Sequence, residues 1–236
     1  MTRTEMNMAQ GTVEWFKARL GIPTASHFAD IVTPTGKPTA NAARTTYRNQ
    51  LLAERMTGQL TDHFTTPAME RGVELEPRAR AWYEVTTGHA VRQVGFVQLD
   101  TGAGICGASP DGITDASGLE IKCPLPHTII GQLLADMVPP DYAMQCQAGM
   151  WICGLLAWDL VLFAGTCGIP NRLITLSADA RLHAAFSEHV PAFCAELDAA
   201  ESRLVAMGGT ARWRDTRIDN AADILGDGND EQQKGG

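Results

Sequence analysis

The stretch Ser109-Pro110-Asp111-Gly112-Ile113-Thr114-Asp115-Ala116-Ser117-Gly118-Leu119-Glu120-Ile121-Lys122-Cys123 decides how this chain is read. Gly112 and the run from Asp115 to Gly118 punctuate it, while Gly104-Ile105-Cys106 before it and Leu119 to Cys123 after it read as strands. Asp at the first and Gly at the fourth position of Asp115-Ala116-Ser117-Gly118 suit a type I turn. A turn there sets Asp115 opposite Gly118, Ile113 opposite Glu120 and Asp111 opposite Lys122. Cross-strand neighbours share a face, as do residues two apart along a strand, so Asp111, Glu120 and Lys122 are expected to meet on one patch. A slip of one residue would send Asp111 to the other side of the sheet.

Those residue types have distinct uses. Two carboxylates are hard oxygen ligands for magnesium or manganese, with water and a substrate phosphate filling the remaining positions. A lysine beside them can orient a water and offset charge that develops on a phosphoryl group. The side chain of Ile121 points away, but its backbone carbonyl offers one more oxygen. On its own, the same hairpin would also serve as a solvated face carrying a Glu–Lys pair.

Three further groups stand out. Glu76 falls on the apolar stripe of Met69, Val73 and Tyr83 in a helical region over 67–87. A carboxylate on an inward stripe needs a partner, and Arg80 one turn on would pair with it on the surface. Pro77 predicts a kink or a fresh helix start, and Glu74 reads as surface. Ser26 precedes His27-Phe28-Ala29-Asp30-Ile31-Val32 and is placed to cap a helix whose free amides attract an anion. Arg19 carries a fork suited to phosphate, although a cap serine and a surface arginine would look the same. Gln145 lies on a helix over 141–153 with Gly149 one turn later, where a small residue lets the helix approach the sheet. It would cap a buried backbone group or take a direct part in a site.

Composition sets outer limits. At 236 residues with 44% hydrophobic residues the chain can build a sizeable core. No segment is apolar enough to span a membrane, and Met1 to Gln10 lacks the apolar core of a signal peptide, so a cytoplasmic location is expected. The net charge of -8 is unusual for a DNA binder, but a local basic track still steers a polyanion. Six cysteines at 106, 123, 146, 153, 167 and 194 show no C-x-x-C pairing and are expected reduced and buried, without an iron–sulfur cluster. The six histidines lack zinc-ligand spacing and no Walker-type phosphate loop is present.

Pattern and punctuation predict helices at 12–20, from Ser26, at 41–57 with Tyr47, Leu51 and Met56 inward, and at 67–87. Strands at 91–99, 104–114 and 118–123 follow. An irregular proline-marked stretch leads to the helix at 141–153. Strands at 156–164 and 172–177 precede a long helix from Ser177 as N-cap to about Met207, with Pro191 as a point of interruption. The expected architecture is α/β, a mixed central sheet flanked by helices. One domain is expected over residues 1–218, with a disordered Asp- and Gly-rich tail over 219–236.

Pro110-Asp111 followed by Glu120-Ile121-Lys122 resembles the signature of restriction-endonuclease-like nucleases. More narrowly, the chain resembles the phage lambda exonuclease family, the YqaJ-type viral recombinases. Matching segments run in the family's order: Trp15 to Gly21 with Thr24-Ala25-Ser26, Gly72 to Ala79 as G-x-x-x-E-x-x-A, Ser109 to Gly112, and Gln145 with Gln147 to Trp151. They span most of residues 13 to 200. The resemblance implies a restriction-endonuclease-like core and a Mg2+-dependent 5′→3′ exonuclease, with Mn2+ able to substitute. It would act on one strand of duplex DNA from a 5′-phosphorylated end, releasing 5′-mononucleotides and leaving a 3′ overhang for recombination.

By the same resemblance Asp111, Glu120, the Ile121 carbonyl and Glu76 hold metal, Lys122 aligns the attacking water, and Gln145 orients Lys122 or the water. Arg19, Ser26 and Ser109 hold the 5′-terminal phosphate, and Met69 matches a wedge that splays the duplex end, though it would also suit a core. A homotrimeric ring around DNA and a single-strand annealing protein as partner are implied too. Lys17, Arg44, Arg48 and Arg55 are candidates for the ring's inner wall, the last three equally for a solvated helix face. The alternatives are another nuclease of this fold without the phosphate pocket, or a catalytically silent DNA-end adaptor.

Overall fold

A computed structural model describes residues 1–61, 67–165, 168–214 and 221–225, with the side chains of 67–69 and 221–222 excepted. Among these residues seven strands form two sheets rather than the single sheet expected. β1 (Thr2–Met6), β2 (Phe96–Asp100) and β3 (Ile105–Ala108) make an antiparallel meander. β4 (Gly112–Ile113), β5 (Gly118–Lys122), β6 (Ala157–Leu162) and β7 (Arg172–Ser177) make the second sheet in that order. β5 is antiparallel to β4 and parallel to β6, and β6 is antiparallel to β7. The strand expected over 104–114 breaks between β3 and β4. Pro110 has no N–H for a ladder, and Gly107 donates to Pro23 O at 2.9 Å.

The helices are α1 (Val13–Arg19), α2 (Ala42–Thr57), α3 (Pro67–Thr87), α4 (Pro126–Ala135), α5 (Pro140–Cys153), α6 (Ala180–Ala206) and α7 (Ala221–Leu225). The Thr12 and Asn41 side chains accept from the first turns of α1 and α2, as N-caps do. Three expectations are corrected here. α6 is capped by Asp179, not Ser177, because Ser177 is still paired with Ala157 in the sheet. Pro191 and Pro77 lie inside α6 and α3 without ending them. The segment at Ser26 is a 3-10 turn over Ala25–Asp30 preceded by Thr24, with no side-chain cap.

The stripe on α3 is only partly inward: Tyr83 is buried, while Val73 is 75% exposed. On α2, Tyr47 and Leu51 are buried and Met56 half-buried. α4 was not expected, and Pro126 sits at its first turn. Within the tail expected to be disordered, Ile224 of α7 is buried and its carbonyl accepts from Leu60 N at 2.8 Å. The rest of that tail lies outside the described residues. No described helix is long and apolar enough to cross a membrane.

Two features lock the second sheet in place. Asp159 on β6 is buried and accepts hydroxyl hydrogen bonds from Tyr83 of α3 at 2.6 Å, from Ser117 at 2.7 Å and from Thr175 of β7. A buried carboxylate met by three donors ties helix, hairpin and sheet together. The other feature is Trp158, 1% exposed, whose ring lies against two glycines. A Cβ on Gly118 would stand 2.3 Å from that ring and one on Gly149 of α5 would stand 2.6 Å from it. The absent side chains therefore let α5 and β5 close on one indole. Gly149→Ala is expected to cost about 1–3 kcal/mol, seen as a lower urea midpoint with an unchanged slope.

Candidate active site

The hairpin brings the signature residues together, in a register two residues from the one expected. Gly112 pairs with Leu119 and Ile113 with Gly118, so the turn sits one residue earlier in the chain, with Thr114 N donating to Ser117 O at 2.8 Å. Thr114 Oγ1 also accepts from Ser117 N at 3.0 Å, a local bond that favours the turn at this position. A shift of two preserves which face each side chain takes. Asp111 N donates to Leu119 O at 3.0 Å, so Asp111 and Gly112 both stand against Leu119, as at a bulge. That irregularity aims Asp111 along the strand edge, where its Oδ2 accepts from Ile121 N at 2.6 Å.

Phe163 N bonds Lys122 O at 2.8 Å, which turns the Lys122 carbonyl toward β6. Backbone groups alternate along a strand, so the N–H and carbonyl of Ile121 face the opposite edge, where Asp111 sits. Glu120 is only 5% exposed, which removes the solvated-face alternative. Its Oε1 accepts from Lys122 Nζ and from Gln145 Nε2, both at 2.7 Å. Gln145 Oε1 in turn accepts from Lys122 Nζ at 2.9 Å, closing a three-membered ring of side chains. The ammonium also stands 5.2 Å from the Tyr142 ring centroid, a neighbour on α5 that the sequence did not single out.

Glu76 reaches the same region from α3 and is ion-paired with Arg80 one turn on. Arg80 Nε donates to the Asp111 carbonyl at 3.3 Å, so this arginine links helix and hairpin. Glu74 is exposed. The electrostatics follow from three acids in a small space. Burial pushes the Asp111 carboxyl well above its usual value, and Glu120 and Glu76 push it further, against Ile121 N–H and Lys122. Glu76 is also raised, by burial first, with Arg80 opposing. Burial would lower the Lys122 ammonium, but Glu120 and Asp111 outweigh it and its pKa sits above the ordinary lysine value.

The second constellation is assembled from α1 and the loop before β4. Arg19 Nη1 donates to Ser109 Oγ at 2.8 Å, and Trp15 Nε1 donates to the same oxygen at 3.0 Å. The Arg19 guanidinium lies 4.3 Å from the Trp15 ring centroid. Trp15 is thus part of this group, visible in the sequence only as a motif residue. Ser26 is exposed and its Oγ lies 3.3 Å from Thr24 Oγ1. One cavity of about 200 Å³ is lined by Arg19, Ser26 and Ser109 together with Asp111, Glu120 and Gln145.

Other expected residues fall elsewhere. The side chain of Met69 lies outside those described. Arg44 and Arg48 both pair with Glu196. Arg55 is 3% exposed and bound to Asp198 and Glu201, so it belongs to the interior and not to a surface track. Lys17 is exposed. Glu76 is turned onto Arg80, and no three acidic, histidine or cysteine side chains among the described residues form a ready ion cage.

Residues 14–156 match the family described as the YqaJ-like viral recombinase domain. Comparison with curated proteins gave no match. The fold is similar to an alkaline exonuclease (LHK-Exo) from Laribacter hongkongensis, 36% identical, with a TM-score of 0.72 over 84% of this chain and 98% of that one. Its complex with dAMP aligns over the same shares at 36% identity with a TM-score of 0.73. A phage related exonuclease from Haemophilus somnus 129PT, 13% identical, shares the fold at a TM-score of 0.54 over 82% and 99% of the two chains.

The raised Asp111 carboxyl carries a stability consequence. Its folded pKa lies above the unfolded value of about 3.9, so folding disfavours the charged form. Stability is full below the unfolded pKa, falls as pH rises from there, and reaches its floor once the pH has passed the folded pKa. Asp111→Asn should therefore melt above the wild type at pH 8 in a chelator, the gap closing toward pH 4. An equal or lower melting temperature at pH 8 would contradict this.

Proposed function

The chain belongs to the YqaJ-like viral recombinase family, with its restriction-endonuclease-like α/β fold, and on that footing we propose that it is a magnesium-dependent exonuclease. It degrades one strand of double-stranded DNA from a 5′-phosphorylated end, releases 5′-mononucleotides and leaves a 3′ single-stranded overhang. The observation that carries this reading is the shared cavity. A phosphate-suited arginine with two serines lines the same small space as the acidic pair and Gln145. That arrangement suits a strand end held by its terminal phosphate with the next phosphodiester over the carboxylates.

The donor set fits a hard divalent cation. The Asp111 carboxylate accepts a backbone N–H and has no cationic hydrogen-bond partner among the described residues, and two further acids crowd it. Asp111, Glu120 and the Ile121 carbonyl would hold magnesium or manganese, with Glu76 joining on release from Arg80. Bound there, the ion polarises a phosphoryl oxygen and lowers the pKa of a water.

The protein's own groups do the rest. Lys122 keeps its proton, since Glu120 and Asp111 favour the ammonium. Gln145 and Glu120 fix that ammonium's direction, so it orients the attacking water and offsets charge growing on the phosphorus oxygens. Arg19 and Ser109, with Ser26 at the rim, bind the 5′-phosphate by charge-assisted hydrogen bonds. Each cleavage then exposes a new 5′-phosphate for the same pocket. A homotrimeric ring and a single-strand annealing partner belong to this proposal as well.

The test is digestion of matched duplexes with 5′-phosphoryl or 5′-hydroxyl ends, with the 3′ end labelled. Phosphorylated ends should be consumed at least about tenfold faster, and Lys122→Ala should slow them by about 10²-fold or more while end binding persists. Chelation should stop digestion, with magnesium or manganese restoring it. Equal rates on the two duplexes would remove Arg19 and Ser26 from the site. Undiminished digestion by Lys122→Ala would remove the nuclease assignment to this hairpin.

A further inference from the structure

One face of α2 grips the segment that carries Arg19 and Ser26. Tyr47, Glu54 and Arg55 are spaced seven and eight residues apart, so they project from the same side of the helix. Tyr47 Oη accepts from Thr24 N at 3.0 Å. Glu54 Oε2 accepts from Gly21 N at 2.9 Å, and Arg55 Nε donates to Gly21 O at 2.7 Å. The Gly21 residue is thereby held by both its backbone groups. Its φ of +67° and a space where a Cβ would lie 2.5 Å from Arg55 Cγ leave room for glycine alone. Arg19, the last residue of α1, sits two positions before this grip.

Glu54 is 7% exposed and fully engaged. Its other oxygen, Oε1, accepts from Thr61 N at 3.2 Å and from the Thr61 hydroxyl at 3.1 Å. Burial raises its carboxyl, while Gly21, Thr61 and the charge of Arg19 pull it back down. Burial likewise disfavours the Arg19 cation, with Tyr47 and Glu54 opposing. Both side chains line one cavity of about 770 Å³ that also includes Glu76 and Asp111. Among the described residues Arg19 makes its hydrogen bond to a hydroxyl and not to an acid, so Glu54 supplies compensating charge without occupying the guanidinium fork.

We propose that Glu54 is a positioning residue for end recognition: it holds the Gly21 turn so that Arg19 presents to the terminal phosphate a fork that no acid occupies. The inference rests on the reading that Arg19 receives a 5′-phosphate. Glutamine at this position matches the volume, but its amide nitrogen cannot accept, so either Gly21 or the Thr61 pair loses its acceptor and the compensating charge disappears. The effect should appear in the recognition of the strand end and not in the chemical step.

The experiment measures kcat and KM on 5′-phosphorylated and 5′-hydroxyl duplexes for the wild type, Glu54→Gln, Arg19→Ala and the double variant, with thermal melting of each. Glu54→Gln should raise KM for phosphorylated ends by about tenfold, with kcat and the 5′-hydroxyl rate held within about twofold. In the Arg19→Ala background the second change should add nothing to KM. An unchanged KM in folded Glu54→Gln, equal losses on both duplexes, or full additivity with Arg19→Ala would overturn the proposal. Should Glu54→Gln not fold, Tyr47→Phe decides by the same KM readout, because the contacts it removes are those to Thr24. Discrimination lost in Arg19→Ala but intact in Glu54→Gln sinks the inference alone. A wild type indifferent to the 5′ group sinks the reading beneath it as well.

Discussion

Three carboxylates are held within mutual repulsion, and the rest of the architecture is arranged to bear that strain. Asp111 is the extreme member, raised by burial and by both neighbours, with one backbone N–H and the charge of Lys122 in return. Nothing in the local hairpin would keep such a group in place. The constraint comes from beyond it. Asp159 fastens α3, and with it Glu76, to the turn at Ser117 through hydroxyls from both. Trp158 seats α5, and with it Gln145, against β5 through two positions that carry no Cβ. Each acid therefore arrives on an element whose position is set elsewhere. A folded protein that keeps like charges together at the expense of stability is poised for a cation.

Opposite this acidic cluster stands an arginine prepared in the contrary manner. The glycine two residues after it and the threonine beyond are both tied to one face of α2. Arg19 meets an indole face and a serine hydroxyl, neither of which neutralises it. Arg44 and Arg48 share Glu196 instead, and Arg55 is buried among its own partners. The distinction between a cation kept for a ligand and one consumed by the fold is a matter of three-dimensional neighbours.

That explains which parts of the chain were legible in advance. The acid–acid–lysine patch was, because a strand alternates with a period of two and an error of two residues in register returns every side chain to its face. Helices α2, α3 and α5 were legible from apolar spacing and from a glycine or proline at their ends. β1 was not: Thr2 to Met6 carries no apolar alternation and pairs as an edge of β2. Nor was α4, since Pro126 starts a helix in the same residue type that elsewhere ends one. The two-sheet division escaped because Pro110 interrupts a run that otherwise alternates like a single strand. Glu54 and Arg55 gave no signal at all, as only the return of the chain at Gly21 supplies their partners.

A chain of net charge -8 repels DNA at long range, so local placement must do what total charge does not. A guanidinium partly shielded from water is worth more to a phosphate than one dispersed over an open surface, because screening and hydration both weaken the latter. Such a cation survives only if its own burial is compensated, and here the compensation is a carboxylate bound to backbone amides one layer back. The same logic, inverted, governs the acids: under the proposed function a ligand of opposite charge would offset their burial. Both halves of the cavity are thus incomplete by construction, and under the proposed function a phosphate end brought together with a hard cation would complete the two at once.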